Sequence, residues 1–424
     1  MNMEKVISYV NTNRGNGRKE NLDRLYSLLE KLGNPQKNLS YIHITGTNGK
    51  GSTASLFYSI LKEAGLDVGI FTSPHLEVVN ERIRLNGEYI KDEDFIRIVE
   101  YMEPIVLALE EERNEKFYAF ELLTVAAFIY FQEKQPDLVI LEAGIGGRLD
   151  STNVIDTAEV SMITSIGLDH QTTLGDTKEE IMYEKAKILK EHGHLVVGPV
   201  SASLKKIAEK ETAEVHGSVL FLNTQEIYVK ETTLAQQVFD YKEWKSVTLS
   251  LLGKHQVENA CLVLEASKIL NEKGFKLTTE IIYRGLAKAY WPGRLEKVGK
   301  HPLFYIDGAH NEASVKRLVE TLEETFPSNQ FHFVVGMMKD KDYEKMLEQV
   351  SHLAKEFILV SPDPNRGFDP YEVATVLQAK GYQALPKDNV AEVLTYIQEK
   401  IPKDETVIQF GSLYLVGDIK KEIS

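Results

Sequence analysis

Tyr41-Ile-His-Ile-Thr-Gly-Thr-Asn-Gly-Lys-Gly-Ser-Thr53 is the stretch from which the fold is read. Tyr41 to Thr45 is β-branched and aromatic, carries no acidic or strongly basic side chain, and reads as a short buried strand. Gly46, Gly49, Lys50, Gly51 and Ser52 follow, and a helical stretch runs from Ala54 to Ala64. A strand, a glycine turn and a helix N-terminus form an anion site, because free backbone N–H groups and the positive end of the helix dipole point the same way. Glycine lets the backbone close around phosphate oxygens. In this reading the loop Thr47 to Gly51 supplies amides, Lys50 reaches the β- and γ-phosphates, and Ser52 or Thr53 holds Mg²⁺. The spacing departs from G-x-x-x-x-G-K-[ST]: Ile44 stands at the first glycine position, and Gly51 separates the lysine from the hydroxyls. The bland alternative is a tight turn with a solvated lysine. Three glycines, a lysine and two hydroxyls at one strand–helix junction favour the phosphate site.

Outward from this stretch, the 424 residues suffice for two or three domains, and 43% hydrophobic content supports real cores. A formal charge of −14 argues against nucleic acid as a partner. A polyanionic nucleotide then has to be met by local Lys, Arg, Mg²⁺ and backbone amides. One cysteine, Cys261, excludes an internal disulfide and a cysteine metal cluster, and suits a reducing cytoplasm. No apolar run approaches a membrane span, and Met1 to Glu20 lacks the apolar core of a signal peptide.

Strand and helix signals alternate along the chain. Met3 to Gly33 reads as two helical pieces broken at residues 11–17. Strands are expected at Asp67–Phe71, Leu138–Leu141, Glu159–Ser165 and His194–Val200, and a turn-rich loop at Asn80–Gly87. Helices are expected at Asp92–Glu112, Ala119–Lys134 and Gln256–Leu270, with a small antiparallel section between Val219 and Leu252. Trp291-Pro-Gly-Arg294 punctuates a boundary, after which a second α/β series runs from Leu303 to Gln409. The expected architecture is a P-loop-type, mostly parallel sheet domain over residues 1–293 and a smaller Rossmann-like α/β domain over 294–424. Ligands of such sheets sit at the carboxyl ends of the strands.

Three residues near those ends carry chemistry. Glu142 follows an apolar strand and is placed to hold Mg²⁺, as a Walker-B acid does; the alternative is a solvated strand-end glutamate. His170 ends the next apolar strand as a metal ligand or a structural histidine. Thr177 with Glu180 forms a capping box, and the helix behind it carries Ile181, Met182, Ile188 and Leu189 on one stripe. Lys185 falls inside that stripe. A buried ammonium must be paired or neutralised, and a carbamate formed with CO₂ would make it a carboxylate able to bind a second Mg²⁺; a snorkelling lysine is the alternative. Arg148 and Asp150 bind a polar substrate group or pair with each other. Asn259 reads a base edge or caps a helix. Arg294, Asp307 and His310 face a nucleotide only if two domains close.

Taken in order, Gly46-Thr-Asn-Gly-Lys-Gly-Ser-Thr53, Thr72-Ser-Pro-His-Leu76, Gly144-Ile-Gly-Gly-Arg-Leu-Asp150, Glu184-Lys-Ala186, Trp291-Pro-Gly-Arg294, Asp307-Gly-Ala-His-Asn311 and Gly411-Ser-Leu-Tyr414 resemble folylpolyglutamate synthase/dihydrofolate synthase, of the Mur-type amide ligases. The resemblance covers nearly the whole chain. It implies that ATP phosphorylates a folate carboxylate and that the amine of glutamate displaces phosphate from the acyl phosphate. It further implies that Lys50 and the loop amides hold the triphosphate, that Ser73 and Glu142 bind one Mg²⁺, and that His170 and carbamylated Lys185 contribute to a second. Asn259, Arg294 and Asp307 are similar to the family's nucleotide contacts. His310 and Ser412 would line the glutamate side. Pro74, His75 and Phe120 would lie by the pterin, with Arg148 and Asp150 near. Lys187 departs from the motif, where glycine is commoner, and is expected to face outward. The implied partners are ATP, L-glutamate and a reduced folate or dihydropteroate, with no nucleic acid and no membrane, in a cytoplasmic monomer.

Three rivals remain at this level. A Mur ligase of cell-wall synthesis would need an N-terminal domain ahead of Tyr41. A kinase or other P-loop NTPase would not need Lys185 buried or a second α/β domain. A non-catalytic nucleotide-binding regulator does not explain the metal-type residues near strand ends.

Overall fold

In the computed structural model, residues 1–12, 19–326 and 330–423 are described. The expected helix break at residues 11–17 lies mostly outside them; helices Met3–Asn11 and Asp23–Lys31 stand on either side. The chain resolves into two compact units. One comprises Met1–Tyr228, Tyr241–Val247 and Glu258–Ala289, the other Val229–Asp240, Thr248–Val257 and Tyr290–Ser424.

The first unit is built on eight strands: β1 (Tyr41–Thr45), β2 (Val68–Phe71), β3 (Ile83–Leu85), β4 (Glu88–Tyr89), β5 (Leu138–Glu142), β6 (Val160–Ile163), β7 (His194–Val197) and β8 (Ser218–Phe221). They lie in the order β4-β3-β2-β5-β1-β6-β7-β8. From β2 to β8 all neighbours are parallel; β3 and β4 extend one edge antiparallel. β1, β2 and β5 are buried along their whole length, as a parallel strand covered on both faces must be. β1 sits between β5 and β6, with Ile44 opposite Glu142 on one side and Met162 on the other. The connection from β1 leads toward β2 on one flank, while β6 lies on the other. In parallel sheets such a change of direction is where ligands bind, beyond the strand ends.

Several expected boundaries move. Residues 80–87 are not only a loop: a 3₁₀ turn Val79–Arg82 leads into β3, which uses the exposed edge of β2. β6 stops at Ile163, two residues early, because Thr164 and Ser165 turn aside to serve the phosphate loop. β7 stops at Val197. Val219 belongs to β8 of the large sheet, so the separate three-stranded sheet begins later, with β9 (Ile227–Thr232), β10 (Gln237–Tyr241) and β11 (Trp244–Leu249). The helix Lys178–Ala186 ends before Ile188 and Leu189, which are buried from the following turn instead.

The second unit carries β12 (Glu296–Lys300), β13 (Leu303–Ile306), β14 (Phe331–Val335), β15 (Ala354–Val360), β16 (Ala384–Lys387) and β17 (Thr406–Phe410). Their order is β12-β13-β17-β14-β15-β16, parallel except for β12. Its core is aromatic: Phe331, Phe333, Phe357 and Phe410 pack with ring centroids 5.6 to 6.0 Å apart. Among the described residues no helix is long and apolar enough to cross a membrane.

Candidate active site

The loop expected to hold phosphate takes its shape from the segment that follows β6. Thr47 N–H donates to the Ser165 carbonyl (2.9 Å), Asn48 N–H to Ser165 Oγ (3.0 Å), and Thr164 Oγ1 to the Asn48 carbonyl (2.6 Å). Thr47 Oγ1 exchanges bonds with the backbone of Gly167 at 3.0 and 3.2 Å. Gly46 is required here because a Cβ would lie 1.9 Å from Thr164 Oγ1. Gly49 adopts φ +89°, which favours glycine, and a Cβ on it would come 2.7 Å from Asn259 Oδ1. Asn259 thus lies against the loop from inside the helix Lys254–Glu272 and does not cap it. Lys50 opens the helix Lys50–Glu63, and its Nζ folds back to the Gly46 carbonyl at 2.9 Å. Ser52 and Thr53 are buried in the first turn, and Thr53 Oγ1 has no hydrogen-bond partner among the described residues.

Beside the loop, Glu142 ends β5 and is 3% exposed. Its charge acts on Arg84 of β3, a half-buried residue whose guanidinium donates to Thr72 Oγ1 at 2.9 Å. Thr72 precedes Ser73, half-buried, and Pro74, exposed, which are joined by a cis bond. His75 is half-buried and accepts from Arg82 Nε at 2.9 Å; burial, and then Arg82, hold it below the ordinary histidine range. Phe120 packs tilted on Phe71 at 5.6 Å and lies against Gly144.

Lys185 is 3% exposed. Burial, and next the charge of Lys50, lower its pKa to about 7, against the pull of Asp150 and Asp169. Lys50, Lys185, Asp150 and Asp169 therefore share one electrostatic neighbourhood. The capping box of Thr177 and Glu180 is present. Lys187 pairs with Glu211 and Glu214, while Lys190 does not point to water: it donates to Asn153 at 2.8 and 2.9 Å, and burial lowers it to about 8. His170 is exposed, seven residues beyond the end of β6, at φ +51° on the cap of a short turn, Gln171–Leu174. It is no strand-end residue.

Arg148 and Asp150 do not pair with each other. Arg148 donates through Nε and Nη2 to Glu184, at 3.1 and 2.9 Å to Oε1. Asp150 is buried; its Oδ2 accepts from Ile145 N–H (2.9 Å), and its Oδ1 from Thr152 N–H (3.0 Å) and Oγ1 (2.6 Å). The pair Arg148–Glu184 was open to sequence reasoning, since Glu184 adjoins Lys185. Arg84, Ser165 and Thr152 gave no comparable signal.

The second unit has a cluster at the ends of β13 and β17. Asp307 accepts from Leu295 N–H and Ala309 N–H, each at 2.8 Å, and burial raises its pKa against the opposing charge of Arg294. Arg294 Nη1 donates to the Gly293 carbonyl at 3.0 Å. His310 Nδ1 faces the Gly308 carbonyl at 2.7 Å, so that nitrogen carries the proton. Ser412 is buried and its Oγ accepts from Tyr414 N–H at 3.1 Å.

Two family models match the chain: the Mur ligase middle domain over residues 44–267 and the Mur ligase glutamate ligase domain over residues 293–413. The dihydrofolate synthase/folylpolyglutamate synthase of Bacillus subtilis is 37% identical over 96% of each chain. The chain belongs to the folylpolyglutamate synthase/dihydrofolate synthase family of Mur ligases. The solved folylpolyglutamate synthase of Thermotoga maritima has a TM-score of 0.86 at 33% identity, covering 99% of this chain and 96% of that one. A folylpolyglutamate synthase solved with AMPPCP and folate has a TM-score of 0.85 at 30% identity, covering 100% of both chains. The α/β architecture with two large, mainly parallel sheets is thus that of the Mur ligases.

The donors around the loop include oxygens of the kind that Mg²⁺ takes. The hydroxyls of Ser52, Thr53 and Ser73 and the carboxylate of Glu142 are hard oxygen ligands, and the unbonded Thr53 Oγ1 leaves acceptor capacity there. Among the described residues no three His, Cys, Asp or Glu side chains converge. The hydroxyl and carboxylate oxygens suit Mg²⁺, which keeps several waters and takes phosphate oxygens as further ligands.

Proposed function

We propose that this chain is an ATP-dependent ligase joining L-glutamate to a folate carboxylate, both by extending reduced folates and by converting dihydropteroate to dihydrofolate. The observation that carries the reading is the coexistence of a phosphate loop, a buried strand-end carboxylate and a buried lysine in one neighbourhood. The names of its relatives support both activities.

A carboxylate does not form an amide unaided, because hydroxide is a poor leaving group. In the proposed reaction the folate carboxylate attacks the γ-phosphorus, ADP departs and an acyl phosphate results. The glutamate amine then attacks the carbonyl carbon, inorganic phosphate leaves and the amine loses a proton. The loop amides and Lys50 hold the triphosphate, and Asn259 borders the nucleotide at Gly49. Bound Mg²⁺ would neutralise charge on the transferring phosphoryl group. Ser73 and Glu142 would hold one ion, with Ser52 adjacent. His170 and a carbamate on Lys185 would contribute to a second. A lysine lowered to about 7 has the neutral amine that CO₂ needs. Pro74, His75, Phe120 and Arg148 border the folate; Asp150 shapes the loop that carries Arg148. In the second unit, Arg294 and Asp307 are assigned to nucleotide, His310 and Ser412 to glutamate. Cys261, buried and free, is consistent with a cytoplasmic enzyme, which we take to be monomeric.

The deciding assay measures ADP release with ATP and glutamate, comparing dihydropteroate with reduced folates. Release that requires both glutamate and a pterin acid is expected. Equal release without either would convert the reading to a plain NTPase.

A further inference from the structure

His43 lies three residues before Gly46, at the centre of β1, and is fully buried. Its Nε2 stands 2.8 Å from Thr152 Oγ1, and Thr152 Oγ1 stands 2.6 Å from Asp150 Oδ1. The direction of this chain follows from chemistry. A carboxylate oxygen accepts, so the Thr152 hydroxyl hydrogen goes to Asp150, and the hydroxyl oxygen must then accept from His43 Nε2–H. His43 Nδ1, without a hydrogen-bond partner among the described residues, is the bare nitrogen. Burial first, and then the charge of Lys190, keep the ring neutral, with a pKa near 3, so this arrangement does not change over the working pH range.

The far end of the chain is the loop that grips Lys185. Asp150 Oδ2 holds Ile145 N–H, closing the turn Gly144–Asp150. That turn is pressed on the lysine helix: Arg148 N–H donates to the Glu184 carbonyl at 2.8 Å, and a Cβ on Gly147 would come 3.0 Å from Lys185 Cα. Asn153 Nδ2 donates to the Lys187 carbonyl at 3.1 Å. Thr45, on the same face of β1 as His43, adds a second tether from its Oγ1 to the Gly146 carbonyl. One face of one strand thus holds the Lys185-bearing segment, while its carboxyl end becomes the phosphate loop.

We propose that His43, acting through Thr152, is a positioning residue that sets Lys185 in register with the phosphate loop. It touches no substrate. The inference rests on the reading of Lys185 as part of the ligase site, and it deepens that reading by naming what fixes the lysine's place. Loss of the tether should misplace the reacting groups without disturbing the nucleotide cradle, which is held separately by Thr164, Ser165 and Gly167.

The test uses the full chain in the glutamate-dependent ADP assay, with ATP affinity measured separately by titration of a non-hydrolysable ATP analogue. Wild-type ADP release independent of glutamate would defeat the ligase reading itself, before any variant is made. Given a glutamate-dependent wild type, His43→Leu and Thr152→Val are each expected to lower kcat about tenfold or more, with analogue affinity within about twofold. The double variant should be no worse than either single one, because both cut the same chain. His43→Gln, whose amide nitrogen can reach the Nε2 position, should recover most of the rate. Thr152→Val keeps the volume and leaves His43 in place, so it stays informative if His43→Leu does not fold. A wild-type kcat in Thr152→Val, additive losses in the double variant, or no recovery in a folded His43→Gln would each overturn the proposal.

Discussion

Arg148 grips Glu184 through two nitrogens, Nε at 3.1 Å and Nη2 at 2.9 Å from the same Oε1. The ion pair ties the turn after β5 to the helix residue next to Lys185. A guanidinium fork fixes orientation as well as distance, which an ammonium cannot do. Arg148→Lys is therefore expected to lose turnover despite keeping its charge, and Glu184→Gln to lose a comparable amount. The cycle of single and double variants, read in kcat, should give a coupling near the size of either single loss; independent effects would mean that the pair does not act as a unit.

Lys50→Ala should lose ATP use by about a hundredfold or more, since it removes the ammonium held beside the Gly46 carbonyl. ADP release over time checks this. Near-normal release would remove the phosphate-loop assignment.

Lys185→Ala should abolish turnover, and stripping CO₂ from the buffer should slow the wild type. The pH dependence has a definite sign. With a pKa near 7, the amine is mostly charged at pH 6 and mostly neutral at pH 8. Only the neutral form adds CO₂, so the benefit of added bicarbonate should be reached at lower total bicarbonate at pH 8 than at pH 6. Identical bicarbonate titrations at the two pH values, or indifference to CO₂, would count against the carbamate.

His332, at the start of β14, lies 2.5 Å from Glu356 through Nδ1 and touches Glu405 through Nε2. Burial works against its charge, but the hydrogen bonds and charges of the two glutamates prevail and raise its pKa. A histidine raised above its unfolded value of about 6.5 contributes stability that is full below that pH and fades as pH rises through the folded value. His332→Leu should therefore lower the melting temperature more at pH 6 than at pH 9. An equal drop at both would show that packing, not charge, explains the loss.

Much of the first unit was legible because its strands are short apolar runs set beside punctuating glycines. β1, β5 and the helix Ala119–Lys134 fall within a residue of their expected bounds for that reason. β3 escaped because Arg84 and Asn86 break its apolar run, and its pairing with β2 is a tertiary fact. Lys185 was legible as a charge on an apolar stripe, although Ile188 and Leu189 complete that stripe from a turn rather than from the helix. For Asn259 the local pattern leaves a helix cap open beside a base-edge contact, because its approach to Gly49 spans 210 positions of the chain, which no local pattern encodes. The same is true of His43, which in sequence is only one more residue of a buried strand.

Gly46 leaves no space for a methyl group between itself and Thr164. On the proposed reading, the mould for the triphosphate is cast while the chain folds, by Thr164, Ser165 and Gly167. On that reading an arriving ATP would find donors already aimed, with that segment ordered before binding begins. Affinity at this end of the molecule should then be set by how firmly β6 is seated, so that substitutions far from any phosphate, beneath Thr164 and Ser165, would be felt there first.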